Sequence, residues 1–290
     1  MNENDFDEQK TTFDSLNFWE LYNNIPDDPE KLVTPFWQDR LRDIKKDFSP
    51  KFPYSFLTNR VIRFTMFVYF CEYNQLQLNY LKGLLNIDDL RKLLVESYCG
   101  SPNTILTNDI ITSGNTVHHA YHIMRYLEET KTSIHDIGSI LEWGGGYGNM
   151  CKLWKRLNDK LTYIIVDLSL FSCIQYVYLS SIFGKEEVNL INGSDDFVKE
   201  GKINIIPLCW IKTLVPEIDM FVSTWALSES TKEAFELIKK KKSFGADKFL
   251  IAHQCGGKDF PEATAVKKLV KGEYYHEEIG HQPSNYYLFK

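Results

Sequence analysis

One stretch, Ser139-Ile-Leu-Glu-Trp-Gly-Gly-Gly-Tyr-Gly-Asn149, constrains the fold of this chain more than any other. The apolar run carrying Glu142 reads as a buried strand, and Gly144, Gly145, Gly146 and Gly148 follow it as a tight turn. Asn149 then opens a helix whose apolar face is Met150, Leu153, Trp154 and Leu157. Glycines at 144, 146 and 148 let the backbone take positive φ and let a ligand come close without meeting a Cβ. The helix behind them aims its first N–H groups at whatever lies over the turn.

A glycine-rich strand-to-helix turn suggests a dinucleotide, and spacing decides against it. The dinucleotide fingerprint needs glycine at the sixth position of G-x-G-x-x-G, where this chain has Asn149. What stands instead is acid-x-G-x-G-x-G, with Glu142 two residues ahead of the first glycine. A carboxylate there repels a pyrophosphate and suits a cation. On these residues the chain resembles the class I S-adenosylmethionine (SAM)-dependent methyltransferases. The resemblance implies SAM as cofactor, with Glu142 sensing its amino-acid end.

Beyond residue 136 strands alternate with helices, the pattern of a mostly parallel sheet covered on both faces. Strands are expected at 140–143, 163–167, 219–224 and 249–253, with the third sheet strand at 203–207 or 188–191. The first of these two is preferred, which leaves 188–194 in an insertion. Helices are expected at 149–157, 171–183 and 228–241. Strands near 274–279 and 286–289, joined by Gly280-His-Gln-Pro-Ser-Asn285, read as a hairpin. The methyltransferase family likewise adds a terminal antiparallel hairpin. The expectation is thus an α/β fold: a doubly wound, mostly parallel seven-stranded sheet with that hairpin, the Rossmann-like methyltransferase arrangement, over residues 136–290.

The half before it is helical in pattern, with stripes such as Trp37, Leu41, Ile44 and Ile62, Met66, Phe70, and a short helix opened by Asp88 and Asp89. Residues 15–135 read as a helical cap over the substrate. Residues 1–14 carry five carboxylates and one lysine, lack the makings of a signal peptide, and read as a disordered acidic tail. The most apolar run, 61–71, is too short to span a bilayer and contains Arg63, so it reads as a buried helix. A net charge of −6 argues against a nonspecific nucleic-acid surface. Six cysteines without a C-x-x-C pair suggest reduced thiols and a cytoplasmic setting. A homo-oligomer is left open.

Ligands of open α/β sheets bind at the carboxyl ends of the strands. Asp167 ends the apolar strand Ile164-Ile-Val166 and is placed to accept both ribose hydroxyls, with Leu168 beside the adenine. Leu208 and Cys209 lie at the end of the third strand, next to Trp210, which either covers the adenine or is ordinary core. The fourth strand ends at Thr224, followed by Trp225 and then Ser228-Glu229, where Ser228 reads as a helix cap and Glu229 as able to reach the cleft. His253, at the end of the fifth strand before Gln254-Cys-Gly-Gly257, is suited to take a proton near neutral pH.

Asn115-Thr-Val-His-His-Ala-Tyr-His122 opens a helix with His118 and His122 on one face, a substrate-lining pair to which His281 in the hairpin turn is added. A zinc site would need Glu where His119 stands, so no metal is assigned. The helical cap, the His-rich helix, Thr224-Trp-Ala-Leu-Ser-Glu229 and the 280–285 turn are together similar to bacterial sugar O-methyltransferases of surface-polysaccharide pathways. That likeness implies a sugar or nucleotide sugar as small-molecule acceptor, with His253 and Glu229 as catalytic groups and Trp143, Tyr147 and Trp225 around the sulfonium. The chain departs from commoner methyltransferases in having no acid directly after its third strand. The Asn-Pro-Pro-Tyr strand end of nucleic-acid amino methyltransferases is absent. The competing reading is a catalytically silent cofactor-binding partner in a biosynthetic complex.

Overall fold

The structure, a computed structural model, describes residues 3–66, 68–107, 109–211, 216–257 and 260–290. The N-terminal part carries helices α1 (Glu3–Asp14), α2 (Phe18–Asn23), α3 (Pro35–Phe48), α4 (Arg60–Thr65), α5 (Glu72–Leu84) and α6 (Ile87–Leu94). A two-stranded antiparallel ribbon follows, β1 (Thr104–Thr107) and β2 (Ile110–Ser113), and then the long helix α7 (Gly114–Thr130).

Two expectations for this half are corrected. The acidic segment is not a disordered tail: Phe6 and Phe13, seven residues apart, fall on one face of α1. Phe6 packs edge-on against Tyr54 and Tyr98, and Phe13 stacks on Phe52. Residues 61–71 are not one helix either. α4 ends at Thr65 and α5 begins at Glu72, with Asn74 reaching back to the Cys71 N–H. The ribbon at 104–113 interrupts what reads as helix throughout.

The second part alternates as expected: β3 (Ser139–Trp143), α8 (Asn149–Leu157), β4 (Thr162–Asp167), α9 (Ser169–Phe183), β5 (Val188–Leu190), β6 (Ile203–Pro207), β7 (Met220–Thr224), α10 (Lys232–Lys240), β8 (Lys248–Gln254), β9 (Tyr275–Glu278) and β10 (Asn285–Phe289). The sheet order is β5-β6-β4-β3-β7-β8-β10-β9. Pairings from β5 to β8 are parallel, and β10 and β9 add antiparallel to β8. Among the described residues the sheet has eight strands, where seven were expected. Val188–Leu190 pairs in register with Ile203–Ile205 as an extra edge strand, so both candidates for the third strand belong to the sheet.

Every residue of β4 is buried, as helices on both faces require. From β3 the chain steps one way to β4 and β6, then returns to β7 on the other side. The crevice of a doubly wound sheet opens at such a reversal, and the glycine turn lies there. No helix among the described residues is long and apolar enough to cross a membrane.

Candidate functional site

Gly144 and Gly146 take φ of 77° and 59°, the left-handed region in which a side chain is strained, and a Cβ on Gly144 would run into Ala226. The turn is held from the next strand. Asp167 Oδ2 accepts from the Gly146 N–H at 3.0 Å and from Gln175 Nε2 at 2.8 Å, and Oδ1 accepts from the Leu168 N–H at 2.7 Å. Gln175 also donates to the Gly146 carbonyl at 2.9 Å, so one amide locks turn and acid together. Burial pushes the Asp167 carboxyl up to about 7, against the pull of these donors.

A cleft of about 120 Å³ lies over the turn. Its floor is Gly144, Gly145, Gly146, Val166 and Asp167. One flank is Leu168, Phe171 and Leu208, and the other is the segment after β7, with Thr224, Trp225, Ala226, Glu229 and Ser230. Trp143 and Tyr147 add aromatic wall. The N-terminal part closes the remaining side with Leu32, Val33, Thr34, Trp37, Thr65 and Met66, and α7 contributes Asn115 and His119.

Of the residues singled out from the sequence, Gly144, Gly145, Gly146, Asp167, Leu168, Leu208, Thr224, Trp225 and Glu229 meet in this cleft. Trp143 and Tyr147, expected around a sulfonium, line it too, whereas Glu142, Gly148, Cys209, His118, His122, His253 and His281 do not. Glu142 is 1% exposed and lies beneath the turn, where a Cβ on Gly145 would sit 3.1 Å from its Oε2. The Tyr163 hydroxyl donates to Glu142 at 3.0 Å. Burial, with some repulsion from Asp167, raises the Glu142 carboxyl to about 8 in spite of that bond. Glu142 thus lies under the turn with a raised proton affinity, where the sequence suggested a carboxylate sensing the amino-acid end of a cofactor.

Gly148 starts α8 with φ of 97° and packs toward Leu179. Cys209 does not line the cleft; its Sγ lies 4.0 Å from Ser169 Oγ. Trp210 does not line the cleft either.

His253 is corrected most plainly, because side chains alternate along a strand. Its ring lies across the sheet against Tyr286 and His276 of the hairpin, and its Nδ1–H donates to the Gln254 carbonyl. His118 and His122 are buried behind Trp225. The His118 ring stacks on that indole at 5.5 Å, and His122 Nδ1 lies 2.6 Å from the Tyr287 hydroxyl. Gln77 Nε2 donates to both His118 Nδ1 and His281 Nε2 at 2.8 Å, and His281 stacks on Tyr73. His118 and His122 pack on Trp225, which takes φ of 65°, donates to Asn285 Oδ1 at 2.6 Å and lines the cleft.

Ser228 is not a helix cap. Its hydroxyl donates to the Trp225 carbonyl, and Thr231 caps α10 instead by accepting from the Ala234 N–H. That leaves 225–230 as a turn that directs Glu229 inward. Burial raises Glu229 to about 7, offset in part by a hydrogen bond from the Trp37 side chain and by the Arg40 charge. A carboxylate titrating there is matched to accepting a proton at neutral pH.

The sequence points to the helix that begins at Asn115 as a source of histidines over the opening but picks His118 and His122; the rule that pairs those two also pairs Asn115 with His119 on the neighbouring face of α7, and that is the face that lines the cleft. Thr34 and Trp37 leave no signal, since 130 or more residues of chain separate them from Asp167. Two buried polar atoms of the lining, Asn115 Oδ1 and Thr34 Oγ1, have no hydrogen-bond partner among the described residues. Such orphans are costly unless a ligand serves them.

No protein-family model matches the sequence, and no curated protein matches it. Among solved structures, the chain is similar over part of its length to human N-acetylserotonin methyltransferase in complex with SAM, at 13% identity and a TM-score of 0.35, covering 59% of this chain and 56% of that one. PigF with SAH aligns at 12% identity and a TM-score of 0.38 over 61% and 56%, and the mitomycin 7-O-methyltransferase MmcR at 10% and 0.37 over 61% and 56%. The chain therefore spans little more than half the length of each of these three proteins.

Proposed function

We propose that this protein is a SAM-dependent methyltransferase that transfers to a hydroxyl of a small polar acceptor, with residues 136–290 as the catalytic domain and residues 15–135 as a cap. One observation carries the reading: an acid wired to a glycine turn borders a cleft that holds aromatic walls and a second carboxylate poised near pH 7. The residues fit the cofactor. Asp167 Oδ1 has accepted only the Leu168 N–H and retains a lone pair for a ribose hydroxyl. Leu168, Phe171 and Leu208 are apolar partners for a purine, and the orphaned Asn115 and Thr34 atoms call for a polar ligand. Trp143, Tyr147 and Trp225 suit a sulfonium.

Bound there, SAM supplies a methyl group that is already electrophilic. The protein's task is then to hold the acceptor in line, exclude water and remove its proton. Glu229 replaces His253 as the base because it lines the cleft and titrates near working pH. A positioned base of this kind contributes about 10² to 10⁴ in rate. The choice of a sugar or nucleotide sugar rests on the likeness of the His-rich helix and the 280–285 turn to sugar O-methyltransferases.

The test is calorimetry followed by mass spectrometry. S-adenosylhomocysteine is expected to bind and NAD to give no heat. A panel of sugars and nucleotide sugars incubated with SAM is expected to yield a product heavier by one CH₂. Binding of NAD in preference to S-adenosylhomocysteine removes the proposal. Binding without product across the panel favours the catalytically silent partner.

A further inference from the structure

Behind the glycine turn lies a buried polar chain that ends at the cleft. The Lys152 ammonium on α8 is fully buried and has three donors, all used: Glu96 Oε1 at 2.5 Å, the Tyr178 hydroxyl at 3.1 Å and Thr116 Oγ1 at 3.3 Å. Glu96, also buried, accepts from Ser113 Oγ and the Ser97 N–H. Its Oε2 lies 2.5 Å from Thr116 Oγ1. The Asn149 side-chain amide sits between Thr116 Oγ1, at 3.2 Å, and His119 Nδ1, at 3.1 Å. His119 lines the cleft.

Counting protons orients this chain. Thr116 has one hydroxyl hydrogen and two lone pairs. The charged, closer Glu96 takes the hydrogen, because a carboxylate is the stronger acceptor. With Nδ2 of Asn149 toward His119, Oδ1 would face a threonine oxygen that has no hydrogen left to give. Amide nitrogen and oxygen are assigned by their partners and not by their shape. Placing Nδ2 toward Thr116 satisfies that oxygen's remaining lone pair and turns Oδ1 toward His119 Nδ1, which must then carry a hydrogen.

We infer that the buried Lys152–Glu96 pair acts through Thr116 and Asn149 to hold His119 as the Nδ1–H tautomer, which leaves the Nε2 lone pair to accept an O–H or N–H of the bound ligand. Asn149 and Thr116 are positioning residues and His119 is a ligand-reading one. Asn149, which rules out the dinucleotide fingerprint, acquires a task of its own. Burial and the nearby Lys152 charge lower His119 to about 3, so the ring stays neutral and reads donors instead of carboxylates. The reading of the cleft as a ligand site rests on the function proposed above, whereas the tautomer does not depend on it.

The experiment is nitrogen NMR of the ¹⁵N-histidine-labelled, ligand-free protein, with His119 assigned by its loss in His119→Gln. The expected result is a protonated Nδ1 and a bare Nε2, favoured roughly tenfold or more because the alternative sets the Asn149 Oδ1 against another buried acceptor and leaves it unpaired. Thr116→Val is expected to erase most of that preference and Thr116→Ser to retain it. A wild-type ring protonated on Nε2, or the same tautomer in a folded Thr116→Val, overturns the inference. If Thr116→Val does not fold, the wild-type spectrum and Thr116→Ser decide.

Saturation with S-adenosylhomocysteine then separates the sources of the donor. A moved Nε2 resonance assigns it to the cofactor's ammonium or hydroxyls, and an unmoved one to the methyl acceptor. Failure of that ligand to bind counts against the proposed function and leaves the tautomer result standing.

Discussion

Three carboxylates at or beneath the cleft differ in what surrounds them, and the differences divide their tasks. Glu142 has one hydrogen-bond donor and no cation nearby, so desolvation dominates. Asp167 has three donors and lies lower, and Glu229 has an indole and a guanidinium for neighbours. Glu142 rises from 4.5 to about 8 on folding. The folded protein therefore keeps a proton that the unfolded chain releases. Its contribution to stability is whole below pH 4.5 and is lost as pH rises to about 8, on the order of 5 kcal/mol across that window. Asp167 acts in the same direction up to about 7. Buried histidines with lowered pKa, His119 at about 3 among them, act in the opposite direction below about pH 6.5, so the check is a difference: Glu142→Gln should gain melting temperature relative to the ligand-free wild type as pH rises from about 5 to 8, and a constant or shrinking difference would contradict the assignment. The base role proposed for Glu229 requires its deprotonated form, so the rate should rise as pH passes upward through about 7. Glu229→Gln should lower kcat by about 10² or more and leave the calorimetric affinity for S-adenosylhomocysteine unchanged.

At the scale of elements, the helices that frame the cleft borrow their ends from distant chain. α9 has Leu168 at its cap position, which offers no side-chain oxygen. Asp28 supplies one from before α3, accepting from the Ser169 N–H and the Ser169 hydroxyl at 2.8 Å each. That strap brings Leu32 to Trp37 over the crevice. Asp28→Ala should cost about 1 kcal/mol, as losing a cap does, and should also weaken S-adenosylhomocysteine binding. Asp28→Asn keeps an acceptor and should recover part of both, with thermal melting and calorimetry as the readouts. Some elements were legible in advance. α8 begins and ends where its apolar spacing and glycine turn place it, and β4 follows from an unbroken apolar run. The start of α10 was not legible, because Ser228 and Thr231 are both competent caps. Only the bond from Ser228 back to the Trp225 carbonyl decides between them.

In the whole molecule, the N-terminal part and the sheet share one interior, with Lys152 and Glu96 as an ion pair across their junction. Burial works against both charges. Lys152 drops to about 8, while for Glu96 the desolvation is outweighed by Lys152 and by the hydroxyl donors, which bring the carboxyl below its ordinary value. Lys152→Met strands a buried anion and should cost about 3–5 kcal/mol in denaturant unfolding. Adding Glu96→Gln, which removes the charge and keeps an acceptor for Ser113 and Thr116, should restore much of the loss. A double variant no more stable than the single would remove the pair from this role.

What the sequence alone determined is whatever depends on neighbours a few residues away: the alternation of strands and helices, the glycine turn, the acid closing β4 and the terminal hairpin. Backbone sterics and apolar periodicity act over that range. Which side chains face the cleft was settled only by the tertiary structure, because that depends on strand alternation, on packing between segments a hundred residues apart and on local burial. So His253 and Glu142 point elsewhere, Trp37 and His119 arrive from the N-terminal half, and Glu229 gains the affinity for a proton that its exposed counterpart lacks.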